Sequence, residues 1–350
     1  MRNPLVRLRN VLREILVNGR AAVVASQALG ERIDDLERSV ALMASDLRHV
    51  AGGGNGQAQP DGATSGVPGR EPLATRRVEA RILALADLLI PQRAVGVAKC
   101  RVGPATDGGY VMLDDWAGIV GAVSIGIGND DAWDRAVAAR RLPVAQFDHT
   151  IAAPPGTGPG LAWRPLGLGP ADVNDMRCLA SLIAVSGLPD SGDLVLKMDA
   201  EGAEWAALAA GAEDAPLHRF RQVVIEFHWF DLVATRRWFE TALRALDHLH
   251  RTHAVVHVHA NNHAGGLLLG GVFFPRVLEV TFARRDSYAL ESETCNFPTP
   301  LDSACDPGRP DIWLGPFRFP APGTAEPEDG EGFQATTGPA GRAPKAPATS

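Results

Sequence analysis

The chain has 350 residues, 45% of them hydrophobic, enough to bury a substantial core, while 37 Gly and 26 Pro indicate stretches that do not fold. A formal net charge of -7, with no Lys/Arg run interleaved with aromatics, excludes a general nucleic-acid binder, and no apolar run is long enough to span a bilayer. Cys100, Cys178, Cys295 and Cys305 are scattered without CxxC spacing, and the N-terminus lacks the order of a signal peptide, which argues for a soluble, reduced, cytoplasmic chain without a cysteine zinc site.

In chain order, MRNPLVRLRNVLREILVNGR predicts a basic amphipathic helix, with Leu5, Leu8, Leu12 and Ile15 or Leu16 at helical spacing. Within residues 30–50, Ile33, Val40 and Leu47 recur every seven positions, and Leu36, Met43 and Val50 form a second seam. That pattern fits either a short coiled coil that makes a homo-oligomer or a solvated, frayed helix. Residues 51–72 and 321–350 are rich in Gly, Pro, Gln, Ser and Thr with almost no large apolar side chains, so they read as a disordered linker and tail.

Between them, residues 73–320 alternate helix and strand. A helix over 74–90 precedes a Gly-centred hairpin at DGGYVMLDD; an apolar strand IVGAVSIGIG, a helix over 130–141 and a strand PVAQFDHT follow. Residues 161–166 suggest another strand and 170–185 a helix capped by Asp172. The strand LVLKMD, helix EWAALAAG, strand QVVIEFHWF and helix TRRWFETALRALDHLH come next, then strands AVVHVHA and GGVFFPRVLEVTFAR, the last running antiparallel. Such alternation implies a mostly parallel α/β sheet covered on both faces.

In these sheets ligands bind beyond the carboxyl ends of the strands, and here those ends are polar. SIGIGND carries Gly126 and Gly128 before a helix start, and Asp148 lies twenty residues on, where a carboxylate holds a ribose diol. Dinucleotide binding wants a third glycine, but Asp131 stands there; acids at that helix start repel a pyrophosphate and tolerate a sulfonium and an ammonium. S-adenosylmethionine is therefore the preferred donor.

The run DGGYVML, VSIGIGND, QFDHT, LVLKMDAEGAEW, VVIEFHWF and VHVHANN resembles the FkbM-like S-adenosylmethionine-dependent methyltransferases across most of 73–320. The resemblance implies a class I methyltransferase (Rossmann-like) fold, with a seven-stranded sheet carrying one antiparallel strand, and methylation of hydroxyl or carboxylate groups. It also implies that Gly126 and Gly128 line the methionine portion of the donor, Asp148 its ribose, and Asp199 the sulfonium, with Glu201 beside it. Ser124 stands where many such enzymes carry an acid, which leaves Asp130 or Asp107 for the donor's amino-acid end.

Methyl transfer to oxygen needs a base or a metal near the acceptor. Glu226 and His228 end the fifth strand; His257, His259, Asn261 and Asn262 end the sixth, with His259 the better base by its nearness to the strand end. Asp199, Glu226 and His228 also suit a divalent metal, magnesium, manganese or iron, although they follow no recognised spacing and a metal-free base is preferred. Glu204 reads as a first-turn acid that favours a helix N-terminus, and Trp133, Trp205 and Trp229 as packing. The expectation is O-methylation of a saccharide or secondary-metabolite hydroxyl, set against two rivals: a nucleotide-dependent oxidoreductase and a non-catalytic nucleoside-binding scaffold.

Overall fold

The computed structural model describes residues 73–211 and 215–319. The expected basic helix and coiled coil within 1–50, the linker 51–72 and the tail 321–350 lie outside the described residues. The described residues open with helix α1 (Leu73–Leu88), where Ile82, Leu85 and Ala86 recur on one face and are buried, as is Leu89 just past its end. Strands β1 (Gln92–Ala94), β2 (Lys99–Val102) and β3 (Tyr110–Leu113) follow, β2 and β3 pairing as the expected hairpin across the Gly103–Gly109 turn. Then come β4 (Ile119–Ile125), α2 (Ala132–Ala138), β5 (Val144–Phe147), β6 (Leu161–Arg164), β7 (Gly167–Leu168), β8 (Met176–Arg177) and α3 (Leu179–Val185). Next are β9 (Asp193–Met198), α4 (Ala203–Ala209), α5 (Ala215–His218), β10 (Phe220–Phe227), a 3-10 turn (Phe230–Ala234) and α6 (Arg236–Thr252). β11 (His253–Ala260), β12 (Gly266–Leu269), β13 (Val272–Pro275), β14 (Leu278–Arg284) and β15 (Leu290–Ser292) complete the order.

The central sheet runs β11-β14-β10-β9-β4-β5-β6; β14 is antiparallel to both β10 and β11, while β10, β9, β4, β5 and β6 pair in parallel. From β4 the chain steps outward through β5 to β6, then returns to place β9 on the other side of β4. Strand order therefore reverses between β4 and β9, and a crevice opens at their carboxyl ends.

Two expectations change. The helix over 170–185 is shorter, because 167–168 and 176–177 pair as β7 and β8; its N-cap is Cys178 and not the expected Asp172, which accepts the Cys178 N–H (2.8 Å) and the Ser181 hydroxyl (2.7 Å) from outside the helix. The stretch 270–284 is two strands, since β13 turns back on β12 and only β14 enters the sheet.

Alternation along the strands sorts the sheet into two faces. On one, Leu194, Leu196, Met198, Val223, Ile225 and Phe227 meet α1, α4 and α6; on the other, Val195 and Val224 meet Tyr110, Met112, Trp133 and Val137 of the hairpin and α2. Lys197 and Glu226 share the second face with Val195 and Val224 by parity. Register then sets polar groups side by side: His259 pairs Glu279, and Glu279 pairs Glu226. Among the described residues no helix is long and apolar enough to cross a membrane.

Candidate functional site

A cleft of about 380 Å³ opens at the reversal point, bounded by the β4 loop, the β5 end and the turn after β9. The loop starts with Gly126, whose φ of +77° is left-handed and whose Cβ, were there one, would stand 1.6 Å from the Asp199 carbonyl oxygen, so only glycine fits. Gly128, with φ +54°, faces open space. Asp148 is nearly buried and binds this loop: one carboxylate oxygen accepts the N–H of Ile127 and of Gly128 (both 2.8 Å), and the other accepts the Thr150 N–H (2.7 Å) and hydroxyl (2.6 Å). Burial raises its pKa, but these four donors outweigh burial and hold it below the usual carboxylate range. Its four acceptor positions are taken by the protein, so Asp148, expected to hold the ribose, here holds the loop.

The other expected donor residues gather around the same cleft. Asp130, exposed, accepts the Ala132 N–H (2.8 Å) at the start of α2; Asp107, Asp199 and Glu201 also line the cleft. Among the described residues Lys197 is the cleft's one lysine, and it is engaged, bonding the Gly126 carbonyl with its Nζ 3.5 Å from Asp199. The lining is thus acidic overall, a match for a cationic ligand and a poor one for a pyrophosphate.

A second cleft, of about 540 Å³, adjoins the first and shares Asp107, Asp199 and Glu201 with it. Its floor holds Glu226 and His228, and Trp229 and Asn261 flank them. Glu201 and Trp229 both adopt left-handed backbone (φ +52° and +69°), and the Trp229 indole N–H donates to the Glu201 carbonyl (3.2 Å). Two such non-glycine residues in contact, each costing about 1–3 kcal/mol, mark a place where the surrounding fold holds a shape against local preference. Trp205 packs, as expected, stacked on Phe227 with its N–H on the His228 carbonyl (2.7 Å).

Glu204 is where the structure departs furthest from expectation. It is fully buried and accepts the Gly202 N–H (2.8 Å), the His228 N–H (2.9 Å) and a hydrogen bond from His228 Nδ1 (3.1 Å). The Glu226 carbonyl lies 3.0 Å from the same Nδ1. Both neighbours of Nδ1 are acceptors, so Nδ1 carries a proton and Nε2 is the atom that faces the cleft. Nε2 stands 3.6 Å from Glu226, 3.6 Å from Glu201 and 3.9 Å from Asp199. Burial works against charge on this ring, but Glu204, then Glu226 and Asp199, push its pKa up to about 9. Burial, then Asp199 and Glu279, hold Glu226 well above the usual carboxylate range; like charges paired across strands repel.

His259, expected as the base, has both ring nitrogens engaged. Its Nδ1 bonds Glu279 (2.8 Å) and its Nε2 bonds Asp311 (3.1 Å). Burial opposes its charge, but Asp311, Cys305 and Glu279 overcome it and push the pKa up to about 12, a locked imidazolium. His257 is likewise spent on Asp302 (2.8 Å), and Asn262 on the carbonyl of Asp306 (2.9 Å). Glu279 and the orienting role of Glu204 escaped sequence reasoning. Register hid the first; the second had a signal in DAEGAEW, where Glu204 follows a glycine-bearing turn three residues after another acid.

No family model matches the chain, and no curated protein matches it.

Proposed function

We propose that the protein is an S-adenosylmethionine-dependent O-methyltransferase of the FkbM-like, class I type, acting on a hydroxyl of a saccharide or a secondary metabolite. The observation that carries the reading is a pair of clefts with a common acidic wall, Asp107, Asp199 and Glu201, at the carboxyl ends of a parallel sheet. A sheet of seven strands with β14 alone antiparallel agrees with it. The first cleft, at about 380 Å³, suits a nucleoside-sized ligand better than a dinucleotide. Its acids complement a sulfonium and an ammonium, and glycine-lined backbone allows close approach.

Bound there, the donor supplies an activated methyl group and leaves as a neutral thioether. The chain's part is to hold the two partners in line. Asp148 fixes the Ile127–Gly128 backbone that borders the donor, and Asp199 lies on the wall common to donor and acceptor. His228 presents Nε2 to the acceptor cleft, its ring held by Glu204. Trp229 also lines that cleft, and an indole is a surface on which a sugar packs.

Calorimetry of the full chain with S-adenosylhomocysteine and, separately, with NAD tests the reading. One S-adenosylhomocysteine per chain and no NAD is the expected result. NAD binding alone would return the fold to the oxidoreductase reading. Donor binding with no methyl release to any hydroxyl acceptor would leave a nucleoside-binding scaffold.

A further inference from the structure

We propose that Asp199, Glu226 and His228 hold one divalent cation, magnesium or manganese, at the boundary between the two clefts. Ligand atoms of the three lie within 4.8 Å of one another. The pairs that involve Nε2, at 3.6 Å and 3.9 Å, are too long for hydrogen bonds and short enough for an ion with bonds of about 2.1 Å to bridge after a small adjustment.

An acidic cluster alone would not make a site; the imidazole does. The His228 side chain is 7% exposed, and among the described residues its Nε2 makes no hydrogen bond while facing oxygens of Asp199, Glu201 and Glu226. With Nδ1 donating to its two acceptors, Nε2 is the ring atom turned toward the carboxylates, the position from which an imidazole that gives up its Nε2 proton ligates a shared cation. The Glu204–His228 bond is also the carboxylate–histidine support that fixes ring and tautomer behind a metal ligand. Glu226 is steadied in turn by the Asn261 amide (3.0 Å) and the Tyr110 hydroxyl (3.4 Å).

A neighbouring group with similar side chains behaves differently. His259, Glu279 and Cys305 also fall within ligand distance, but they close on each other directly, at 2.8 Å and 3.2 Å, which leaves no room between their atoms. Two carboxylates and one imidazole without a thiolate favour an oxygen-seeking ion over zinc. Open space in the second cleft leaves coordination positions for water and for an acceptor hydroxyl. The use of that hydroxyl rests on the methyltransferase reading; binding of the ion does not.

The test uses full-length protein stripped with chelator and titrated with Mn²⁺, free ion being followed by electron paramagnetic resonance. One bound Mn²⁺ per chain, displaced by Mg²⁺ and showing nitrogen coupling in the echo-modulation spectrum, is expected. Asp199→Asn and Glu226→Gln should each weaken binding at least tenfold, with unchanged circular dichroism. His228→Asn should abolish the nitrogen coupling. No retained Mn²⁺ at about 1 mM, or binding indifferent to all three substitutions, overturns the proposal. S-adenosylhomocysteine calorimetry on the same samples separates the two readings. Donor binding without Mn²⁺ removes only the cation, and Mn²⁺ without donor binding removes only the methyltransferase.

Discussion

Replacing Glu204 by Gln tests the most specific contact in the site, because the change keeps shape and removes one acceptor oxygen. In the native protein one carboxylate oxygen takes both the N–H and Nδ1–H of His228, and the other takes the Gly202 N–H. An amide presents N–H₂ at one of those two places, so whichever way it turns, at least one buried donor faces another donor. A hydrogen bond to a charged group contributes about 1.5–3 kcal/mol, and a stranded buried donor costs about 1–3 kcal/mol; the two overlap in part, giving roughly 2–4 kcal/mol for the substitution. For a domain of this size each kcal/mol moves the thermal midpoint by about 2–4 °C, so a fall of roughly 5–15 °C is expected in differential scanning calorimetry. An NMR titration should also show the His228 pKa falling from about 9 toward the ordinary histidine range, since Glu204 is the chief group that raises it. A midpoint shift under about 2 °C, with the His228 pKa unchanged, would show that Glu204 does not hold the ring and would refute the reasoning.

Acidification should destabilise the fold in two stages. His253 is buried, and burial, against the Phe220 carbonyl that accepts from it, lowers its pKa to about 4. The unfolded chain takes that proton first, so stability present above about pH 6.5 is lost as pH falls through 4, by roughly 3 kcal/mol. For Glu293 burial raises the pKa, but the Thr294 N–H and Lys99 outweigh it and bring it to about 2; its contribution is present above about pH 4.5 and lost as pH falls toward 2. Urea midpoints at successive pH values should fall along this course, and a flat midpoint from pH 7 to 4.5 would contradict the buried, neutral His253. Separately, Gly126→Ala should cost both stability and S-adenosylhomocysteine binding, since its Cβ would collide with the Asp199 carbonyl, whereas Gly128→Ala meets no atom within 4 Å and should cost only the strain of its left-handed backbone, about 1–2 kcal/mol. Equal thermal midpoints for the two variants would count against the close approach of loop and strand end.

What the sequence disclosed depended on how far each signal reaches along the chain. Hydrophobic periodicity is local, and it located α1, α6 and the strands around Val123, Leu196, Val224 and Val258. It missed the start of α3, because β7 and β8 pair through contacts that no short window contains, and it joined β13 to β14, which read as one apolar run. Glycine and aspartate at strand ends pointed to the crevice that Gly126, Gly128, Asp148 and Asp199 line, since a parallel sheet brings those ends together whatever its exact register.

Roles within the crevice were a different matter, because they depend on which side chains are already spoken for. Asp148 and His259 look available in sequence, one by its spacing from a glycine loop and the other by its place at a strand end. Each is consumed by partners brought from elsewhere: backbone N–H groups of the β4 loop for Asp148, and Glu279 with Asp311 for His259. Glu204 runs the opposite way, ordinary in sequence as a first-turn acid and yet buried behind His228. The deciding quantity is the number of unused donor and acceptor positions on each polar group, and that is a property of register and packing. By that measure Asp199, Glu226 and His228 stand apart. Their facing atoms are close enough to share a positive ligand and too far apart to satisfy one another, whereas the His259 cluster, built from similar chemistry at shorter distances, has already closed.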